Sequence, residues 1–408
     1  MSTKTLLISI IFVFSSVVTT AQDISKIKYD AEHCNDAWSQ NKLGVCYENG
    51  EGVEKNLNNA FYWFKRAADN GYKYGYYNLG RFYEHGTFVS KDIMMAFSMY
   101  EKAAKLYHSY SCLIVGKWYL YGTYVVQNYQ KAYKYLKDAA FTGNSEGKEL
   151  FGSCYAYGYG VEPDSVKALI WLDRAIEDEY FAAYYTKGYM YEKGFAVSKN
   201  EETAILMYEL GDKYNDVDCT NALGVWYDVG AGVDVDKQKA LKFYEKAANK
   251  GDMYGARNLA YKYKNGDGVI IDKRIAAKWF EKSAMHNDEI SYAELIEIYT
   301  ELKDYESLFR IASEGSKLNF ISCLKGLAYC YVNGYGVQQD YKIALSIIDM
   351  SLKHYPEDLD LNDFKGEILL LRGKKNDAKQ MWRKVNEMSP KYYQQNNTPL
   401  NSYINSGK

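Results

Sequence analysis

The sequence predicts an all-α protein, an α/α superhelical solenoid of about ten stacked helix-turn-helix repeats, and three observations predict it. A register of small residues comes first: Gly44, Gly80, Gly116, Gly152, Gly188, Gly224 and Ala260 follow one another at intervals of 36 residues. Two more columns keep the same interval, with Tyr47, Tyr83, Tyr119, Tyr155, Tyr191, Tyr227 and Tyr263 three residues on and Ala60, Ala96, Ala132, Ala168, Ala204, Ala240 and Ala276 sixteen on. Between the columns stands a loop signal, Gly50-Glu51-Gly52-Val53, Gly158-Tyr159-Gly160-Val161, Gly230-Ala231-Gly232-Val233 and Gly266-Asp267-Gly268-Val269, with weaker copies at Gly86, Gly122 and Gly194. Self-similarity at a fixed period of this length marks a stacked array.

The segments on either side of the loop read as helices because their apolar residues recur at three and four. Leu79, Gly80 and Tyr83 form one face of a first helix; Ala60, Trp63, Phe64 and Ala67 do so in a second. Small residues such as Gly80 and Ala96 let two helix backbones approach, and Tyr83 and the aromatic near position 99 fill the space beside them. A buried side chain of that size contributes roughly 1.5–3 kcal/mol, yet one helix pair cannot cover its own apolar faces, so neighbouring units must. The loop glycines suit a helix exit, where glycine alone enters the left-handed region cheaply, and the following Val returns to the core. A phosphate cradle is the competing meaning of Gly-x-Gly; here it follows a helix, lacks the third Gly and recurs in every unit.

Leu43 to Val53, then Ala60 to Ala68 and Gly71, resembles the Sel-one-like repeat, a 36-residue relative of the tetratricopeptide repeat. The copies at Leu223 to Gly251 and Leu259 to Ala284 resemble it as closely. The resemblance implies antiparallel helix pairs stacked in a right-handed superhelix and used mainly as a scaffold for protein partners. Unit eight, around Ile296, Tyr299 and Leu308, lacks the loop glycines and is shorter; the register resumes with Ala328, Tyr331, Gly334, Gly336, Val337 and Ala344. Gly366, Leu369, Ala378 and Trp382 carry tetratricopeptide spacing. The expected organisation is a signal peptide over 1–21, an N-terminal segment over 22–35, a repeat array over 36–354, a tetratricopeptide-like helix pair over 355–390 and a polar tail over 391–408.

Composition fits. The 408 residues carry 50 Lys+Arg against 52 Asp+Glu, a net charge of −2 that offers no basic surplus for nucleic acid. With 47% hydrophobic residues and 4 Pro the chain can bury a large core, and its 43 Tyr and 31 Gly are what a reiterated unit would accumulate. Lys4 precedes an apolar run from Leu6 to Val18, too short to span a bilayer, that ends at Thr19-Thr20-Ala21. This reads as a secretory signal cleaved before Gln22, so the protein is expected to be secreted or periplasmic, with no stable membrane span.

Seven cysteines, Cys34, Cys46, Cys112, Cys154, Cys219, Cys323 and Cys330, show no paired framework. Cys46, Cys154 and Cys330 share one repeat position and Cys219 and Cys323 another, as small apolar filler would. A bridge between Cys34 and Cys46 is the one pairing the spacing suggests.

No catalytic constellation emerges. His33, His85, His108, His286 and His354 are scattered, without a metal-binding spacing. Ser-x-x-Lys occurs at Ser39, Ser145 and Ser322, but the Ser-Asp-Asn and Lys-Thr-Gly elements that serine β-lactam enzymes also need are absent. Asn396-Asn397-Thr398 fits a glycosylation sequon, relevant only in a eukaryotic source. No enzymatic activity, cofactor or metal is expected.

A binding surface remains. Relative to each reference Gly, positions −4, −1 and +3 face the partner helix, while −6, −3, +1, +4 and +5 share another face. By the tetratricopeptide resemblance, that face lines the concave groove. It carries Tyr74, Tyr77, Arg81, Glu84 and His85 in unit two, and Tyr110, Lys117 and Tyr121 in unit three. Unit five contributes Tyr185, Tyr189, Glu192 and Lys193; unit seven contributes Tyr254, Arg257, Tyr261, Lys264 and Asn265. Tyr and Arg anchor interfaces because they bury much area with few rotors and keep a polar tip. The same tyrosines could instead be packing between successive first helices. The expected function is non-catalytic capture of a protein or peptide partner; a glycan, stacked on the tyrosines, is the alternative, and cell-wall or β-lactam hydrolysis the weaker one.

Overall fold

The computed structural model describes residues 23–392. The expected signal peptide, the sequon at Asn396 and most of the tail lie outside them. A helix over residues 23–33, α1, precedes twenty helices that pair in sequence order. The pairs are α2 (Ala37–Asn49) with α3 (Leu57–Asp69), α4 (Lys73–His85) with α5 (Ile93–Lys105), α6 (Ser109–Tyr121) with α7 (Tyr129–Phe141), α8 (Ser145–Tyr157) with α9 (Ser165–Glu177), and α10 (Ala183–Lys193) with α11 (Glu201–Lys213). They continue as α12 (Val217–Val229) with α13 (Lys237–Asn249), α14 (Met253–Asn265) with α15 (Lys273–Ala284), α16 (Glu289–Glu301) with α17 (Tyr305–Ser316), α18 (Ile321–Asn333) with α19 (Tyr341–His354), and α20 (Leu359–Leu371) with α21 (Lys375–Met388). No strand occurs among the described residues, so the predicted all-α repeat class is the one observed. None of these helices is long and apolar enough to cross a membrane. The chain divides into two compact units, one ending at Cys219 and the other beginning at Thr220.

In most pairs the helix contact leaves no room for a side chain on one partner. A Cβ added to Gly80 would stand 2.5 Å from Tyr100 of α5, one on Gly188 2.5 Å from Tyr208 of α11, and one on Gly224 2.7 Å from Tyr244 of α13. Phe64, Leu136 and Leu172 fill the same place opposite Gly44, Gly116 and Gly152. The alanine column from Ala60 to Ala276 is fully buried beside it. Small faces large, twenty residues apart in sequence, and the choice of large side chain has a polar consequence. Tyr100 Oη donates to Glu84 (2.6 Å), Tyr208 Oη to Glu192 (2.7 Å) and Tyr244 Oη to Asp228 (3.4 Å), each acceptor lying four residues past the reference Gly. Where the large residue is Leu, that fourth position is apolar, Leu120 or Ala156.

The loop is closed twice. Its first Gly takes the left-handed conformation that ends the first helix, with φ near 81° at Gly50 and 75° at Gly158. The Asn or Asp that caps the second helix then donates its backbone N–H to the carbonyl of the column tyrosine. Asn56 bonds Tyr47, Asp92 Tyr83, Asn128 Tyr119, Asp164 Tyr155, Asn200 Tyr191, Asp236 Tyr227, Asp272 Tyr263 and Asp340 Tyr331, all at 2.8–3.0 Å. The cap side chains meanwhile accept from backbone N–H groups of the helix they open. The second loop glycine also has positive φ, 67° at Gly52 and 73° at Gly160, and at this position Phe88 (66°) and Ala196 (56°) adopt it without being glycine.

The segment 22–35, given no structural role above, contains α1, whose Ala31 packs with Leu43 and Trp63 on the first pair. All seven cysteines are free thiols, Cys34 exposed and the other six buried. The bridge from Cys34 to Cys46 is not formed: Cys46 is sealed within α2, while Cys34 lies in the open beyond the end of α1. Cys219 and Cys323 act as filler opposite glycine, since a Cβ on Gly211 or Gly315 would fall 2.2 Å from their sulfurs.

Two substitutions test this packing. Gly152→Leu should lower stability by more than about 1–3 kcal/mol in chemical denaturation, because it overpacks the contact with Leu172 and the Ala168 carbonyl. Ala196→Gly should raise it by roughly 1 kcal/mol, since it relieves a left-handed backbone at an L-residue.

Candidate functional site

None of the seventeen predicted groove residues is fully buried. In the first unit α4 carries Tyr74, Tyr77, Arg81, Glu84 and His85, α6 carries Tyr110, Lys117 and Tyr121, and α10 carries Tyr185, Tyr189, Glu192 and Lys193. In the second unit α14 carries Tyr254, Arg257, Tyr261, Lys264 and Asn265. Several also tie one repeat to the next. Arg81 pairs with Glu48 (2.9 Å), Lys117 with Glu146 (2.6 Å), Arg257 with Asp288 (2.8 Å), and Glu294 receives both Tyr261 Oη (2.9 Å) and Lys264 Nζ (2.5 Å). Glu84 and Glu192 are committed to the buried tyrosines of their own repeats. Tyr74 and Tyr77 flank His108, at 4.7 and 4.5 Å between ring centres. Burial pulls the His108 imidazole down to about 4, so it is neutral and accepts the Ser111 N–H that opens α6.

Tyr121, Tyr185 and Tyr189 come together with residues that the sequence reading passed over. They line a cavity of about 580 Å³ in the first unit together with Tyr157 of α8. The Tyr157 ring lies 6.3 Å from that of Tyr189 and 5.4 Å from Phe195, and Tyr185 stacks on Tyr189 at 6.1 Å with the rings 9° from parallel. The lining also includes Glu149 and Ser153 of α8 and Thr186 of α10. Glu149 is only 8% exposed, and its Oε1 accepts from Ser153 Oγ (2.9 Å) and Thr186 Oγ1 (2.6 Å). Burial raises the Glu149 carboxyl above its ordinary range, against the pull of those two hydroxyls; the same cause pushes the Tyr121 and Tyr185 phenols up to about 12, so both stay neutral donors. Glu146 and Asp218 complete the acidic part of the lining.

Repeat four was overlooked because its −6 and −3 positions hold Glu146 and Glu149 in place of tyrosine. The signal was there: Glu149, Ser153 and Tyr157 stand at −3, +1 and +5 from Gly152, the phase used for the other units. Tyr180 and Phe195 enter the cavity from turns, where helical phase has nothing to say. A larger cavity, about 810 Å³, borders Asp23 and Ile24 where the described residues begin, and it includes none of the predicted residues. The lysines of the three Ser-x-x-Lys matches are paired with acids, Lys42 with Glu51, Lys148 with Asp178 and Lys325 with Asp360.

Eight stretches match the family model described as Sel1 repeat: residues 39–72, 73–108, 109–140, 150–180, 181–211, 217–252, 254–288 and 322–346. The chain belongs to the Sel1 repeat family. Among solved structures, the Sel1 repeat protein from Oxalobacter formigenes is similar at 28% identity and a TM-score of 0.52, over 67% of this chain and 82% of that one. The protective antigen c5321 of uropathogenic Escherichia coli, described as displaying an SLR fold, aligns with 91% of this chain and 94% of its own at 23% identity and a TM-score of 0.46. No curated protein matches. Sel1 repeats in general mediate protein–protein interaction and belong to typically non-catalytic scaffolds. The start of α8, with Glu146 and Glu149, falls between two of the matched Sel1 stretches.

A carboxyl whose folded pKa is raised contributes most stability when protonated and loses it as pH rises through the folded value. Glu149→Gln should therefore raise the melting temperature at pH 7, and the gain should shrink as pH falls into the acidic range, read by circular dichroism at several pH values.

Proposed function

We propose that this Sel1 repeat protein is an exported, non-catalytic scaffold that holds an extended protein segment against the tyrosine-rich face of its first helices. One observation carries the reading: residues of the predicted face, continued into repeat four, line a cavity walled by six tyrosines and one phenylalanine. Such a wall supplies rigid apolar area with hydroxyl tips, the composition of interface anchors. Export rests on the apolar run from Leu6 to Val18 and the small residues before Gln22.

A glycan is the second reading, favoured by the near-parallel Tyr185 and Tyr189 rings, a geometry that a flat sugar face can extend. A glycan panel read by tyrosine fluorescence separates the two.

Combined replacement of Tyr121, Tyr185 and Tyr189 by Ala should reduce capture of partners from an extracytoplasmic extract at least tenfold while leaving the helical circular-dichroism signal in place. Loss of that signal would assign the rings to the core. N-terminal sequencing of protein recovered outside the cytoplasm should begin at Gln22; retention of Met1 would remove the export part of the proposal.

A further inference from the structure

The buried acid that lines this cavity, Glu149, is not needed to hold the repeats together. The slot it occupies recurs: position −2 of one repeat donates to position −3 of the repeat before it. Asn78 donates to Asn41 at 2.9 Å and Asn258 to Asn221 at 3.1 Å; Thr186 to Glu149 is the third example. Two of the three acceptors are neutral amides, so an amide oxygen satisfies the geometry. At Glu149 a carboxyl replaces it, in a place where burial disfavours its charge. A group that packing does not require and desolvation penalises calls for another partner.

The surroundings identify the chemistry of that partner. Both hydroxyl bonds fall on Glu149 Oε1, and Oε2 accepts none. Glu146 and Asp218 line the same cavity, and no Lys or Arg does. Lys117 pairs with Glu146, and its pull on Glu149 is weaker than the effect of burial there. The remaining lining is largely tyrosine, whose ring faces attract cations and whose hydroxyls accept from them. An anion would meet the Glu149 carboxyl here, and a neutral sugar would leave it unused.

We infer that this cavity receives the basic side chain, lysine or arginine, of the extended segment that the face holds. The inference rests on the docking reading and adds the partner's charge. The cavity volume lies within the range of sites that enclose small groups, which suits one long side chain with its flanking backbone. The cationic head would lie against Glu149 Oε2, and its methylene stem along Tyr157 and Tyr185.

The test uses the full chain and a library of extended Ala/Ser/Thr peptides that differ at one central position: Lys, Arg, Gln, norleucine or Glu. Retention of the Lys and Arg peptides should exceed that of the norleucine and Glu peptides at least tenfold, and should fall as salt rises while that of norleucine does not. In Glu149→Gln the preference should drop about tenfold with no loss of thermal stability. Equal retention of Lys and norleucine peptides, or a preference untouched in Glu149→Gln, would overturn the basic side chain; the docking reading would stand if Tyr121→Ala still weakened all peptides alike. Binding by a glycan panel with no peptide retained would remove both.

Discussion

The arrangement depends on one contact: a first helix that carries no side chain where the second helix of its pair presents a large one. Gly80 against Tyr100 and Gly188 against Tyr208 are tight forms, with no space for even a methyl group. The contact sets how closely the two backbones approach, and it also fixes the rotation of the first helix about its axis. With glycine pointed at the partner, the positions at −3, +1 and +5 must turn elsewhere, because a helix repeats every 3.6 residues. The tyrosine-rich face is thus a by-product of the packing contact, and it recurs wherever the glycine does.

What distinguishes one stretch of this face from another is how its polar groups are spent. In repeats two and five the residue at +4 is an acid that accepts from a buried tyrosine. Around α14 the residues at −3, +1 and +4 bond to the following repeat through Asp288 and Glu294, so their charges are already answered. Repeat four differs on both counts. Ala156 at +4 has no tyrosine to serve, because Leu172 fills the core, and the acid at −3 faces hydroxyls in place of a cation. Aromatic groups crowd in from both sides, and the result is an acidic recess in a wall that is otherwise neutralised by its own neighbours.

Much of this was legible in the chain. The glycine, tyrosine and alanine columns predict the helix pairs because they encode a packing contact that most units repeat. A fourth column was equally legible and went unread: Asn56, Asp92, Asn128, Asp164, Asn200, Asp236 and Asp272, the caps that start each second helix, keep the same interval. The roles of Glu84 and Glu192 were harder to see, since they show only when the +4 column is compared with the +20 column, acid with Tyr and apolar with Leu. Tyr121, Tyr185 and Tyr189 were legible from their helical phase, whereas Glu149 of repeat four, which lines the same cavity, was not, because its phase position holds an acid and not a tyrosine. α1 could not be read from a register at all, for it belongs to no repeat and is explained by the apolar surface of Leu43 and Trp63 that it covers.

The matching of buried tyrosine to acid also bears on how such chains change over generations. A recombination event that exchanged α5 for α7 would bring a phenol hydroxyl opposite Leu120 and strand it in an apolar interior, while the reverse swap would leave Glu84 with nothing to receive. Whole helix pairs can be duplicated, deleted or shuffled without that penalty. The heritable module of this architecture is therefore the hairpin, and a single helix is not a portable part.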